Sequence, residues 1–304
     1  MKPDIGVIPA LLTPLNENET IDVPSLENLI EWVLGFDMKG LFVAGTMGEG
    51  VALRDRERAI LFKETVRIVK GRVPVMASVS DNGTKRMLDN VDMAVEAKVD
   101  SVVATPRMAF PPRTQGESFR LFKAVAEHSR VPVWFYENPL LSPVTSTFES
   151  IAEIIALPNV EGLKFSAPNF ELFARCKREL TGNPPCFNGN VPEIAMAARI
   201  GGGAISGIGS MLPGLCIKIF EAAVAGQDDM AQKYQDAINA SYAIYGGDGW
   251  PLWPSAQKHV LMRRGIIRTN VATDPFVRVG PDEAARIDRA LEGIEDWVFN
   301  PPAG

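Results

Sequence analysis

Along the chain, short apolar runs rich in β-branched residues alternate with longer stretches whose apolar positions recur every three or four residues. The runs at 6–13, 41–44, 73–78, 101–105, 131–136, 160–164, 185–188 and 204–207 have the length and composition of strands buried on both faces. Amphipathic segments at 25–34, 54–70, 84–97, 117–128, 147–156, 169–180, 192–199 and 214–225 follow them and read as helices. Eight such units predict a (β/α)8 TIM barrel over residues 1–226. An open doubly wound sheet is the structural competitor, but the first strand lacks the glycine-rich turn of a dinucleotide fold. From residue 227 the alternation stops. Segments 228–245, 254–264 and 282–296 read as helices, separated by Gly246-Gly-Asp-Gly249 and a loop containing Pro275, so 227–304 is expected to be a helical extension packed on the barrel. Tyr242, Tyr245, Trp250 and Trp253 in that extension read as core packing rather than a binding cage.

Composition narrows the function classes. With 304 residues, 46% apolar and 22% charged, the chain has the make-up of an ordinary globular protein large enough for a sizeable core. A net charge of −6 and the lack of basic clusters interleaved with aromatics argue against nucleic acid. No run approaches the roughly 18 apolar residues of a membrane span. The amino-terminal apolar stretch is cut by Pro9 and Pro14, unlike a signal peptide. Cys176, Cys186 and Cys216 are odd in number and scattered, which suits a reducing cytoplasm and buried thiols. His128 and His259 have no second ligand at metal spacing, so neither a metal, a histidine triad nor any other cofactor is expected.

Three strand ends carry chemistry. Lys164 lies in Val160-Glu-Gly-Leu-Lys-Phe-Ser166, an apolar run where an ammonium is costly to bury. An unperturbed lysine is neutral in only about one molecule in 2500 at pH 7, and desolvation raises that fraction toward what Schiff-base formation with a carbonyl needs. Tyr136 ends the fifth run and Thr46 follows the second. In a barrel these positions face one site. Amine, phenol and hydroxyl together suit imine chemistry on a 2-oxo acid.

These residues stand in strings that resemble the dihydrodipicolinate synthase and N-acetylneuraminate lyase family of class I, Schiff-base aldolases. Gly45-Thr-Met-Gly-Glu49 is similar to its Gly-Thr-Thr-Gly-Glu loop, Tyr136-Glu-Asn-Pro139 to Tyr-Asn-x-Pro, and Gly162-Leu-Lys-Phe-Ser166 to its Gly-x-Lys segment. Gly189 and the run Gly203-Ala-Ile-Ser-Gly-Ile-Gly-Ser210 match later parts. The resemblance implies Lys164 as imine former, Tyr136 as proton shuttle and Thr46 as carboxylate binder or proton relay. It also implies that the amides of Thr46 and Met47 hold the substrate carboxylate, with Ile205 lining the same pocket, and that the chain forms a cytoplasmic homotetramer.

Departures from the pattern bear on the substrate. Leu141 stands where dihydrodipicolinate synthases carry an arginine, and Thr105-Pro-Arg-Met-Ala-Phe110 lacks their cross-subunit tyrosine. Val191 and Pro192 replace the Asp-Glu pair with which sialic acid lyase grips a polyol, leaving Asn190 or Glu193 as substitutes. Ser166 and Ser210 are expected to recognise hydroxyls on the distal part of the substrate. Arg107 is expected either to bind a second carboxylate or to pair with a surface acid. Glu137 is expected to raise the phenol's pKa or to bridge outward. The expected activity is aldol cleavage, condensation or dehydration through an imine with pyruvate or a 2-keto-3-deoxy sugar acid. A non-catalytic 2-oxo-acid sensor is the alternative, and a phosphate site at Gly201-Gly-Gly203 and Gly207-Ile-Gly209 is a weaker one.

Overall fold

The computed structural model describes residues 1–247, 251–292 and 298–300. Eight parallel strands form the barrel: β1 Val7–Pro9, β2 Leu41–Val43, β3 Val75–Ser78, β4 Ser101–Ala104, β5 Val133–Glu137, β6 Val160–Phe165, β7 Cys186–Asn188 and β8 Gly203–Ser206. Consecutive strands pair from β2 to β8, β8 pairs β1 with Val7 opposite Ala204, and a parallel bridge between Ala10 and Phe42 joins β1 to β2. Helices α1 Val23–Leu34, α2 Asp55–Val69, α3 Thr84–Glu96, α4 Gln115–His128, α5 Phe148–Ile155, α6 Phe170–Glu179, α7 Ile194–Arg199 and α8 Pro213–Val224 alternate with the strands.

The two-residue period of a strand sorts side chains between two cores. Ile8, Phe42, Met76, Val103, Trp134, Tyr136, Phe187 and Ile205 fill the interior, while Leu41, Val43, Val133, Phe135, Leu163 and Phe165 face the helices. Large interior rings require small neighbours. A Cβ on Gly162 would lie 2.6 Å from the Trp134 indole, and one on Gly203 2.4 Å from the Phe187 ring. Those rings plug the barrel below Lys164.

Two sequence expectations change in detail. β5 and β6 run one residue further than the apolar pattern implied, because Glu137 still pairs with Phe165 across the sheet. The helix expected at 228–245 is α9 Asp228–Ser241 followed by a 3-10 turn at Tyr242–Tyr245. Beyond it lie α10 Ser255–Arg263 and α11 Pro281–Ala290; residues 293–296 of the expected last helix, and Trp250, lie outside the described residues. This C-terminal segment is tied to the barrel by Arg268, whose guanidinium meets both Asp22 carboxylate oxygens at 2.8 and 2.6 Å, and by Lys258, 2.5 Å from Glu49. Among the described residues no helix is long and apolar enough to cross a membrane. All three cysteines are buried, and burial pushes their thiols up to about 12.

Candidate active site

Parallel pairing sets Tyr136 opposite Lys164, and Lys164 opposite Phe187, so phenol and amine rise side by side at the carboxyl end of the barrel. Lys164 is only 3% exposed, and its Nζ sits 4.1 Å from the Phe42 ring centroid and 4.0 Å from that of Tyr136. Burial pushes its amine below the usual lysine range, opposed by the neighbouring phenol. For Tyr136 burial works upward, but the Lys164 charge and hydrogen bonds to Ser166 and Thr46 carry the phenol below its usual range. The chain holds a second fully buried lysine, Lys258, with a different environment. Its ammonium contacts the Glu49 carboxylate and donates to the Val271 carbonyl at 2.7 Å. Lys164 has aromatic faces where Lys258 has a counter-ion, and only Lys164 opens onto the central cavity.

The loop after β2 is shaped by its backbone. Ala44 and Glu49 take left-handed conformations at φ 53° and 56°, a cost of about 1–2 kcal/mol each for residues with a side chain. Glycine is required at Gly50, where a Cβ would lie 1.7 Å from the Ala44 carbonyl oxygen. Three contacts hold the strained loop: Thr13 donates to the Gly48 carbonyl at 2.7 Å, Arg58 donates to the Gly50 carbonyl at 2.8 Å, and the Glu49 carboxylate accepts from Thr273 N at 2.6 Å. Thr46 is thereby presented to the phenol. Among the described residues, the amides of Thr46 and Met47 have no backbone acceptor.

Lys164, Tyr136, Thr46, Met47, Ser166, Gly189 and Ile205 all line one cavity of about 540 Å3. Gly189 serves by having no side chain, since a Cβ there would be 2.0 Å from Ser166 Oγ and 3.4 Å from Lys164 Cε. Other expectations are corrected. Ser166 lies 3.5 Å from the Tyr136 oxygen, at the reacting end rather than the distal one. Ser210 does not reach the cavity; it is buried, donates to the Ala10 carbonyl at 3.1 Å and accepts from Leu12 N, fastening the loop after β8 to the chain after β1. Arg107 also stands off the cavity, in the loop after β4, where its carbonyl accepts from Ser142 Oγ. Glu137 follows strand parity and points outward, buried, bonded to Ser146 N and Oγ, with its carboxyl pushed up by desolvation. Among the described residues it therefore neither bonds to the phenol nor bridges to a cation. Tyr242, Tyr245 and Trp253, expected as core packing, form part of the cavity wall as well.

One residue of the site was passed over in the sequence. Asn138 donates through Nδ2 to the Tyr136 oxygen at 2.7 Å and reaches Thr46 Oγ1 at 3.5 Å, while its Oδ1 accepts from Leu140 N. Its position two residues after the tyrosine, ahead of a proline that ends the strand, was the available signal.

The fold and these strings have close counterparts. Residues 4–294 match the model of the dihydrodipicolinate synthetase family. A 4-hydroxy-tetrahydrodipicolinate synthase of Rhizobium meliloti is 30% identical over 293 residues, covering 94% of this chain and 97% of the relative. One from Bacillus velezensis is 29% identical over 293 residues with the same coverage. The solved dihydrodipicolinate synthase of Bacteroides thetaiotaomicron superposes with a TM-score of 0.89 at 28% identity, covering 96% of this chain and 99% of that one. With a family model spanning nearly its whole length, the chain belongs to the dihydrodipicolinate synthetase family, a family of lyases.

Proposed function

We propose that the protein forms a Schiff base between Lys164 and pyruvate or a 2-keto-3-deoxy sugar acid and uses it for aldol cleavage or condensation, or for dehydration. The observation that carries this reading is the Lys164 amine, buried against two aromatic faces with the Tyr136 phenol beside it. Desolvation without a counter-ion favours the neutral amine that attacks a carbonyl.

In the proposed sequence the amine adds to C2 of the 2-oxo acid and Tyr136 protonates the carbinolamine oxygen, which leaves as water. The Tyr136 phenolate then takes a proton from C3 of the iminium, which gives an enamine and restores the phenol. Its C3 attacks the aldehyde carbon, the new alkoxide takes a proton from Tyr136, and water hydrolyses the resulting iminium, freeing Lys164 as the neutral amine and returning a proton to Tyr136. Cleavage is the reverse. Thr46 and Asn138 fix the phenol through their contacts with it, and the amides of Thr46 and Met47 are the donors for the substrate carboxylate. Leu141 on the cavity wall, where dihydrodipicolinate synthases have an arginine, gives an acidic aldehyde no cation to meet, so the reaction named for the relatives is not the one proposed here.

The test is borohydride reduction in the presence of pyruvate, followed by peptide mass spectrometry. A pyruvate-derived adduct is expected on the Lys164 peptide of the wild type and on none in Lys164→Ala. An undiminished adduct in that variant, or none in the folded wild type, refutes the reading.

A further inference from the structure

The cavity divides by chemistry. Its lining is of two kinds: the polar groups of Lys164, Tyr136, Thr46, Asn138 and Ser166, and a largely apolar wall of Met47, Leu141, Val191, Ile208, Tyr245 and Trp253. We infer that the aldehyde partner, and so the tail of the matching 2-oxo acid, is neutral and aromatic. This inference rests on the Schiff-base reading, takes its pyruvate arm in preference to the sugar-acid one, and specifies the second substrate.

Polar groups on the wall are already occupied. Trp253 Nε1 donates to Met47 Sδ at 2.9 Å, which turns the thioether and the indole into one continuous apolar surface, and the Tyr245 phenol accepts from Gln257. The Trp253 ring is itself held edge-on by Phe276, with centroids 5.4 Å apart. At the polar corner, Glu193 Oε2 accepts from both Asn188, at 2.7 Å, and Asn190, at 3.1 Å, and Asn190 also donates to the Ala167 carbonyl. A polyol would need several free donors, and the side-chain NH2 groups of Asn188 and Asn190 are directed to the Glu193 carboxylate and the Ala167 carbonyl. An anionic tail would meet the Glu193 carboxylate and, among the described residues lining the cavity, no arginine and no lysine other than the imine former.

Size agrees with an aryl group. A space of about 150 Å3 accommodates benzene, so a cavity of about 540 Å3 takes the pyruvate moiety and a six-membered ring beyond it. Aromatic and thioether walls favour a ring over a linear chain, because edge-to-face and sulfur contacts add to simple burial. The inferred reaction is pyruvate plus an aryl aldehyde giving a 4-aryl-4-hydroxy-2-oxobutanoate. One carbon–carbon bond forms between pyruvate C3 and the aldehyde carbon, the C3 proton is lost, the alkoxide gains one, and no oxidant or reductant is consumed.

The experiment uses the full chain with pyruvate and, in separate reactions, benzaldehyde, D-glyceraldehyde or succinic semialdehyde, measuring pyruvate consumption and the adduct by mass spectrometry. Borohydride trapping is run on the same samples. The kcat/KM for benzaldehyde is expected to exceed the other two by about 10- to 100-fold, the ratio given by burying one phenyl ring. Trp253→Ala is expected to lower it about 10-fold more than it lowers the value for glyceraldehyde. Trapping on Lys164 with no preference for benzaldehyde, or with none of the three aldehydes consumed, overturns the aromatic tail and leaves the Schiff base standing. Absence of trapping overturns the Schiff-base reading, and this inference with it.

Discussion

Replacing Glu49 by glutamine isolates the buried ion pair that joins the Thr46 loop to α10. Both side chains are fully buried with 2.5 Å between Lys258 Nζ and Glu49 Oε1. At an effective dielectric of about 20 the attraction over that distance is roughly 7 kcal/mol before desolvation is counted. Breaking such a pair from one side typically costs about 3–5 kcal/mol. Glutamine retains an oxygen for Thr273, so the loss falls on Lys258, whose remaining hydrogen bond among the described residues is to the Val271 carbonyl. The stranded ammonium can escape by giving up its proton, at about 4.6 kcal/mol at pH 7 for a lysine of ordinary pKa and about 1.9 kcal/mol at pH 9. Folded Glu49→Gln then binds one proton fewer than its unfolded chain, so its stability rises with pH relative to the wild type. At about 2 °C per kcal/mol the deficit in Tm is roughly 6–10 °C at pH 7 and about 4 °C at pH 9. Calorimetric scans of both proteins across that range measure it, with Glu49→Leu/Lys258→Met expected to recover most of the loss. A deficit below about 2 °C, or one that does not shrink with pH, would refute the reasoning.

Two further outcomes follow from the site. Burial lowers the Lys164 pKa, so below the unfolded-state value of 10.5 this lysine subtracts stability, and the deficit closes as pH rises from the folded pKa toward 10.5. Lys164→Met should abolish trapping while stabilising the fold by about 0.5–2 kcal/mol at pH 7, with the two melting curves converging toward pH 10; a variant no more stable than wild type at pH 7 contradicts this. Asn138→Leu removes a donor that favours the phenolate of Tyr136. The alkaline limb of the kcat profile should therefore move to higher pH, whereas damage to packing alone would lower the rate without shifting the limb.

Strand periodicity made the barrel and its floor legible. Lys164 and Tyr136 could be found because residues at alternate strand positions must face the interior, and Thr46 because it stands in the loop after β2; the same parity places Glu137 outside, against Ser146. What escaped depends on contacts between distant segments. The fastening role of Ser210 appears only once the loop after β8 meets Ala10, and the double duty of Tyr242, Tyr245 and Trp253 only once the C-terminal helices pack over the barrel mouth. Glu49 read as one letter of a loop motif, since nothing local identifies Lys258 as its counter-ion. Asn138 was hidden in plain view, because an asparagine before proline is also an ordinary turn residue.

Trp134 and Phe187 fill the barrel interior beneath Lys164, and the cavity lies on the side of the strand ends. On the proposed chemistry this imposes a stacking order: pyruvate must reach the amine before the aldehyde arrives, and the aldehyde must depart before pyruvate can. An aldehyde that settles first caps the shaft over an empty lysine, so the better the upper wall grips its ligand, the more the enzyme is exposed to inhibition by its own second substrate.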